Sequence, residues 1–212
     1  SDHPDLDLQI VATGGHLSEK HGLTYKDIER DGFVINKFVE NLSETDTEDA
    51  ISKSIGVGII GFSDVIKELN PDLLIILGDR FEVFAAAVAA MVARIPIAHI
   101  HGGELTQGSI DDAIRHSITK MSHLHFVAAE EYRKRVIQLG ENPNCVFLVG
   151  GLGVDNIKEM SLLSKEELEN SLGIKFKLRS LLITFHPVTL EDETAEAQMK
   201  ELLSALSDLS DT

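Results

Sequence analysis

The sequence has one cysteine, no tryptophan and few basic residues, and each shortage excludes a class of protein. Cys145 has no second cysteine with which to form an internal disulfide. The nine histidines have no paired cysteines that would complete a structural zinc site. Only 19 Lys and Arg stand against 35 Asp and Glu, and the formal net charge is −16. A nucleic-acid partner is therefore not expected, because phosphate contacts need clustered Lys and Arg.

Long hydrophobic runs are also lacking. No apolar run approaches the roughly 20 residues that span a bilayer, and residues 1–7 are polar and acidic rather than a secretory signal. We therefore expect no membrane partner. Together with the single cysteine, this pattern favours a reducing, cytoplasmic location.

Short apolar segments alternate with helical periodicity along the chain. The apolar segments predict strands at 8–12, 33–39, 73–77, 97–100, 124–128, 146–149 and 181–185. The periodic segments predict helices at 48–70, 82–93, 110–122, 130–139, 164–172 and 191–206. Thr47 and Ser164 are predicted N-caps, and Glu167 completes a capping box with Ser164. This alternation predicts an α/β fold with a doubly wound, mostly parallel sheet.

A change in pattern near residues 160–179 suggests a domain boundary. We expect an N-terminal Rossmann-like domain in residues 1–160, and a linker with the start of a second Rossmann-like domain in residues 161–212. The first strand begins so early that the first strand of a complete domain is expected to be missing. The second domain is expected to be truncated, because only one strand and one helix follow the boundary.

Polar side chains follow the predicted strands where each strand ends. They are His16, Asp79 with Arg80 and Glu82, His101 with Glu104, and His186. Residues at the carboxyl ends of parallel strands converge on the ligand-binding crevice of such a sheet. Asp79 has a second interpretation as the N-cap of the helix that follows it, and both roles can hold at once.

The segment from His99 to Glu104 allows more than one interpretation. His99 and His101 alternate on a predicted strand and would share a face, which leaves open a metal site completed by Asp79, Glu104 or Asp111. We favour a core position for His99, with only His101 reaching solvent. Gly102 and Gly103 allow a sharp turn or a close approach to a ligand, and Glu104 is suitably placed for proton transfer. His123 and His125 also alternate, but without acidic neighbours they are expected to be structural.

Two carboxylates open the helix predicted at 110–122. Asp111 and Asp112 are favoured at a helix N-terminus by the macrodipole. Arg115 and His116 follow four residues later, so that each predicted pair can meet on one side of the helix. A separate helix, predicted at 48–70, carries three glycines that suggest close packing and a candidate subunit interface.

Several motifs together resemble the hydrolysing UDP-N-acetylglucosamine 2-epimerases of bacterial sialic-acid biosynthesis. They are GDRFE at 78–82, HIHGGE at 99–104, IDDAIRHSITK at 110–120, FHPVT at 185–189 and the segment GGHLSEKHGLTYKDIERDGF at 14–33. Relatives in this family act on UDP-linked diacetamido-trideoxy sugars in legionaminic acid pathways. The resemblance covers nearly the whole chain. It implies a glycosyltransferase-B architecture, in which two Rossmann-like domains hold the sugar nucleotide between them.

The resemblance also implies a reaction. UDP is eliminated across C1 and C2 of the sugar, and water adds to the resulting glycal, which releases UDP and the 2-epimeric free sugar. That sugar is N-acetylmannosamine when the substrate is UDP-N-acetylglucosamine. No cofactor or metal is implied. The expected partners are the UDP-sugar substrate and further copies of the chain, as a dimer or tetramer.

Site residues follow from the matched motifs. Asp79 and Asp111 match the family's catalytic acidic residues, and some members read HIEGGE where this chain reads HIHGGE. Either His101 or Glu104 is therefore the expected base at C2. The full expected set is Asp79, His101, Glu104, Asp111 and His186 as catalytic residues, with His16, Arg80, Gly102, Gly103, Arg115 and His116 as substrate-binding residues.

Two alternatives and one limit complete the expectations. The alternatives are a metal-dependent hydrolase built on His99 and His101, and a non-catalytic module that binds a sugar nucleotide. The limit is that the 212 residues alone are expected to be inactive, because much of the nucleotide-holding domain would be missing.

Overall fold

A computed structural model describes residues 3–43, 45, 47–186 and 195–209. These residues form two compact units. The first consists of residues up to Leu105 together with Asp111–Gly151, and the second consists of Thr106–Ile110 with the residues from Leu152 onward. The domain division at residue 160 stays a prediction.

The first unit contains two parallel sheets. Strand β1 (Ile10–Thr13) pairs with β2 (Ile35–Val39). The larger sheet has its strands in chain order: β3 (Leu74–Leu77), β4 (Ile97–Ile100), β5 (Leu124–Val127) and β6 (Val146–Leu148). The predicted α/β class with parallel strands is confirmed, and the first six predicted strands lie within two residues of the observed bounds.

Helices connect the strands. They are α1 (Tyr25–Arg30), α2 (Glu48–Leu69), α3 (Phe81–Ala93), α4 (Ile110–Met121), α5 (Glu130–Gln138), α6 (Leu152–Glu159), α7 (Lys165–Leu172) and α8 (Ala195–Ser207). Helices α1 and α6 have six and eight residues and were not predicted, whereas α7, also of eight residues, was predicted because a capping box marks its start. Short 3-10 helices lie at Gly14–Leu17, Glu19–His21 and Pro143–Cys145.

The caps predicted at Thr47 and Ser164 are confirmed, but the interpretation of Asp79 as an N-cap is wrong, because Arg80 occupies the N-cap position of α3. The Thr47 hydroxyl accepts a hydrogen bond from the backbone N–H of Ala50 at 3.3 Å. Ser164 and Glu167 form the reciprocal bonds of a capping box at the start of α7. Each cap satisfies backbone groups that have no partner inside the helix.

The core of the first unit depends on close packing between α2 and the alanine-rich α3. A Cβ at Gly58 would lie 2.9 Å from the Ala85 Cβ, and one at Gly61 would lie 2.8 Å from Val39 Cγ1. The prediction of close packing is confirmed at these two positions. A Cβ at Gly56 would meet nothing within 4 Å, so this glycine has no such role. A subunit interface on α2 stays a prediction.

The prediction of a strand at 181–185 is wrong. Residues 181–186 have no regular secondary structure, and the Leu182 side chain is 98 % exposed. A parallel strand needs a neighbouring strand for its hydrogen bonds, and the described part of the second unit contains no strand that could supply them. The predicted helix at 191–206 is observed from Ala195, and residues 191–194 lie outside the described residues. Among the described residues, no helix is long and apolar enough to cross a membrane.

Candidate active site

Two neighbouring strand ends form the candidate site. Strand β3 ends in Gly78 and Asp79, and β4 ends in the turn from His101 to Glu104. The β3–β4 pairing continues into these ends, because the N–H of Gly78 donates to the Ile100 carbonyl at 3.0 Å. The two polar ends therefore lie side by side at one edge of the sheet, the expected position for a ligand.

Arg115, from the middle of α4, joins the two ends. Its guanidinium forms an ion pair with Asp79 and lies 3.6 Å from Glu104 Oε2. It also donates to the backbone carbonyl of His101 at 2.8 Å. Arg115 is buried, and a buried charge is stable only when it is paired and hydrogen-bonded. The structure thus brings together four of the expected site residues, Asp79, His101, Glu104 and Arg115, which we call the Arg115 cluster.

An imidazole–carboxylate contact lies within the cluster. His101 Nδ1 and Glu104 Oε1 are 2.6 Å apart, and both side chains remain partly exposed. A carboxylate can only accept here, so Nδ1 carries the proton and, in the neutral ring, Nε2 keeps its lone pair. His101 has a left-handed backbone with φ of +63°, which is uncommon for a residue with a side chain. Such conformations concentrate at functional sites.

The two glycines of the turn are packed against protein atoms. A Cβ at Gly102 would lie 3.1 Å from His99 Nδ1 and 3.2 Å from Thr119 Oγ1. A Cβ at Gly103 would lie only 2.5 Å from the Tyr132 carbonyl oxygen, and φ is +79°. These contacts support the sharp-turn interpretation of the glycines; their expected role in substrate binding stays a prediction.

His99 occupies the core position favoured from the sequence. It is 0 % exposed; Nε2 lies 2.8 Å from the Gly78 carbonyl and Nδ1 lies 3.3 Å from the Thr119 hydroxyl. Burial lowers the pKa of His99 to about 4, so the ring is neutral at pH 7. The prediction that His99 and His101 share a strand face is wrong, because β4 ends at Ile100 and the left-handed backbone of His101 interrupts the alternation. No group of three potential metal ligands occurs within the described part of the chain.

The remaining expected residues of the first unit lie on nearby segments. Arg80 is mostly exposed, and its Nε lies 3.4 Å from the buried Glu82 carboxylate. A Cβ at Gly14 would lie 2.6 Å from Glu82 Cγ, which brings the end of β1 against the start of α3. His16 follows in the same loop, is exposed, and contacts the Thr24 hydroxyl at 2.8 Å.

The opening of α4 is partly as predicted. Asp112 Oδ2 and His116 Nε2 lie 3.9 Å apart, which confirms that predicted pair. Asp111 is half-buried in the first turn. Arg115 pairs with Asp79 and Glu104, which belong to two other segments and were not predicted as its partners.

His186 and His125 lie in different surroundings, one exposed and one buried. His186 is exposed and belongs to the second unit, and Pro187 lies outside the described residues. His125 is fully buried with its Nε2 3.2 Å from Glu141 Oε2, and Glu141 also pairs with Lys120. The expectation that His125 has no acidic neighbour is therefore wrong, because Glu141 is distant in sequence.

The fold and the candidate site first identify a general class of protein. Parallel strands with polar side chains at their carboxyl ends are typical of α/β proteins that bind a ligand at the sheet edge. A family model described as UDP-N-acetylglucosamine 2-epimerase matches residues 1–212. The chain belongs to this family, which confirms the resemblance seen in its motifs.

Similar proteins agree with this assignment. The chain is 47 % identical over 205 residues to a Campylobacter jejuni "GDP/UDP-N,N'-diacetylbacillosamine 2-epimerase (hydrolyzing)", covering 97 % of this chain and 53 % of the relative. It is 44 % identical over 204 residues to the Escherichia coli "Polysialic acid biosynthesis protein P7", covering 96 % of this chain and 52 % of that one. The chain thus spans about half the length of the curated relatives it matches.

Solved structures show the same fold. A crystal structure of the UDP-GlcNAc 2-epimerase from Neisseria meningitidis bound to UDP-GlcNAc matches with a TM-score of 0.63 at 18 % identity, covering 82 % of this chain and 49 % of that one. This likeness confirms the Rossmann-like, glycosyltransferase-B type of fold predicted from the sequence.

Proposed function

We propose that the protein containing this chain is a hydrolysing 2-epimerase that acts on a UDP-linked acetamido sugar. The observation that carries the proposal is the Arg115 cluster at the carboxyl ends of β3 and β4. It places an imidazole, two carboxylates and a buried guanidinium at one edge of the sheet. Family membership supports the reaction class.

His101 is the proposed base at C2. The Glu104 carboxylate accepts a hydrogen bond from Nδ1–H of His101, so Nε2 can take the C2 proton while the carboxylate stabilises the imidazolium that forms. The electron pair of the C2–H bond then forms a double bond between C1 and C2. The bond from C1 to the β-phosphate oxygen breaks, and UDP leaves with that electron pair.

Water completes the reaction. Its hydroxyl adds to C1 of the glycal, and a proton adds to C2 from the face opposite to the one from which the first proton was removed. One water is consumed for each UDP and 2-epimeric sugar released. The Asp79 carboxylate, fixed by Arg115, is an acceptor that can orient a sugar hydroxyl or the attacking water. Asp111 is the candidate acid that gives C2 a proton derived from solvent, while His101 releases the abstracted proton to solvent. His16, Arg80 and His116 are proposed to contact the substrate, and the role expected of His186 stays a prediction.

Two substrates are candidates. UDP-N-acetylglucosamine, which would give N-acetylmannosamine, is the leading one from the family motifs. A UDP-linked diacetamido-trideoxy sugar is the second, because a relative with 47 % identity is named as a hydrolysing diacetylbacillosamine 2-epimerase. We further propose a homo-oligomer, and light scattering of the full-length protein measures it.

NMR of the full-length protein with each sugar nucleotide in deuterated water tests the proposal. The expected result is release of UDP and of a 2-epimeric free sugar that carries deuterium at C2, from one of the two substrates. Binding of UDP without deuterium at C2 would favour the non-catalytic module instead. Activity that disappears on chelation would favour the metal-dependent hydrolase. Release of UDP by the 212 residues alone would contradict the expected inactivity of this segment.

A further inference from the structure

We propose that the buried His99 is a positioning residue for the elimination step, because its imidazole links the Asp79-bearing end of β3 to the Arg115-bearing helix α4. This inference rests on the proposed function. His99 makes no contact in the site as a base or acid would, and its ring lies wholly in the core. We expect His99 to affect the reaction indirectly, by fixing the positions of Asp79 and Arg115.

The first link joins His99 to the peptide that precedes Asp79. A backbone carbonyl can only accept, so His99 Nε2–H donates to the Gly78 oxygen at 2.8 Å. The Gly78 N–H donates in turn to the Ile100 carbonyl on the same strand as His99. Both backbone groups of Gly78 are therefore fixed by β4. Gly78 has φ of +80°, and Asp79 is the next residue.

The second link joins His99 to α4. With Nε2 protonated in the neutral ring, Nδ1 is an acceptor that faces the Thr119 hydroxyl at 3.3 Å, and the single proton of this hydroxyl is given either to Nδ1 or to the Arg115 carbonyl. The same hydroxyl lies 3.0 Å from the Arg115 carbonyl, one turn earlier in α4. Thr119 is fully buried, so this contact is not exchanged with water. The ring thus lies between the two segments whose side chains form the Asp79–Arg115 ion pair.

The turn after β4 is fitted to the same ring. A Cβ at Gly102 would approach both His99 Nδ1 and Thr119 Oγ1 to within about 3 Å, so the turn that carries His101 and Glu104 lies directly on this pair. Three segments of the site therefore meet at one buried imidazole. An apolar side chain could fill the volume of the ring and would bring no polar atoms of its own into the core. It would, however, leave the Gly78 carbonyl without its hydrogen-bond donor.

Two substitutions separate positioning from packing. In His99→Gln the side-chain amide nitrogen occupies the place of Nε2 and can still donate to Gly78. In His99→Asn the amide occupies the place of Nδ1, so the contact with Thr119 is kept and the one with Gly78 is lost. His125→Asn is the matched control, because His125 is equally buried and lies opposite His99 in the β4–β5 register, yet its partner is Glu141.

The experiment measures kcat and KM for UDP release by the full-length protein, and hydrogen exchange of the segment 78–82. We expect His99→Asn to lower kcat by about 10- to 100-fold with KM changed by less than about twofold, since misplacement of a reacting group acts on the chemical step. Exchange at 78–82 should rise in this variant. His99→Gln should keep kcat within about threefold of wild type, and His125→Asn should leave kcat unchanged.

The outcomes are distinguishable. Equal losses in the Asn and Gln variants at position 99, or a His99→Asn enzyme with wild-type kcat, overturns the positioning role and leaves the proposed function intact. A kcat loss in His125→Asn as large as in His99→Asn also overturns the positioning role, because destabilisation of the core alone would then explain both losses. A wild-type protein that releases no UDP from either acetamido sugar overturns the proposed function, and the positioning role with it.

Discussion

His101 Nδ1 and Glu104 Oε1 lie 2.6 Å apart in the turn that follows β4. The contact fixes the ring tautomer and places a negative charge beside the imidazolium that would form during proton abstraction. Glu104→Gln keeps a hydrogen-bond acceptor of the same shape and removes the charge. We therefore expect kcat for UDP release to fall by about 10²-fold with deuterium entry at C2 reduced in parallel.

The control for this substitution is Glu131→Gln. Glu131 is an exposed partner of Arg135 on α5, so its neutralisation should change kcat by less than about twofold, as for most exposed ion pairs. A Glu104→Gln enzyme with full activity would show that His101 does not depend on Glu104, and would exclude Glu104 as the base, because a glutamine amide cannot take the C2 proton. An inactive Glu104→Gln enzyme beside an active His101→Gln enzyme would instead assign the base to Glu104.

Arg115 is expected to be the most sensitive residue of the cluster for stability. Arg115→Met leaves the Asp79 and Glu104 carboxylates without their buried cation, and breaking such a pair costs about 3–5 kcal/mol. Arg115→Lys keeps the charge but cannot reach Asp79 and the His101 carbonyl with one planar group, so an intermediate loss is expected. Urea denaturation followed by circular dichroism measures both free energies of unfolding.

Arg30→Met provides the comparison for Arg115. The Arg30 guanidinium lies 2.6 Å from Asp27 in α1 with both side chains exposed, and removal of this exposed pair should change the free energy of unfolding by less than about 1 kcal/mol. Equal effects at positions 115 and 30 would mean that the Arg115 cluster adds no more to stability than a surface ion pair.

The sequence predicted which strand ends lie together at the candidate site better than it predicted the contacts between their side chains. Asp79, His101 and Glu104 were found because polar residues at the ends of apolar strands converge in a parallel sheet, a rule that depends only on local pattern. The partners of Arg115 were missed, since helical spacing indicates contacts only three or four residues away. The strand predicted at 181–185 failed for a related reason, because an apolar run becomes a strand only where a neighbour supplies hydrogen bonds.

Gly103 is predicted to tolerate no side chain. A Cβ there would lie 2.5 Å from the backbone oxygen of Tyr132, in a left-handed conformation, and a backbone atom of α5 cannot move aside cheaply. Gly103→Ala should therefore lower the free energy of unfolding by about 2–5 kcal/mol, from overpacking and the left-handed backbone together. The change should also disturb the Arg135 contact with the Gly103 carbonyl.

Gly150→Ala separates the two terms. Gly150 has a similar φ of +85°, and a Cβ there would meet nothing within 4 Å. The expected loss is about 1–2 kcal/mol, the backbone term alone. Equal losses in the two variants, measured by the same urea denaturation, would mean that the turn relaxes away from α5.

Buried His99 should also make the stability of the first unit depend on pH. Burial lowers the pKa of His99 from 6.5 to about 4. Between these values the unfolded chain binds a proton that the folded chain does not, so the free energy of unfolding falls as pH decreases from 6.5 towards 4. The full difference in pKa corresponds to about 3 kcal/mol, of which about 2 kcal/mol should be lost between pH 7 and pH 5.

His99→Gln removes this titration while keeping the donor to Gly78. We expect the variant to lose less stability than wild type between pH 7 and pH 5, by about 2 kcal/mol, when both are unfolded in urea at the two pH values. His125, whose pKa is also lowered by burial, contributes in the same direction in both proteins and so does not alter the comparison. Identical pH dependence in wild type and His99→Gln would show that His99 accepts a proton in the folded protein as readily as in the unfolded chain, contrary to its burial between Gly78 and Thr119.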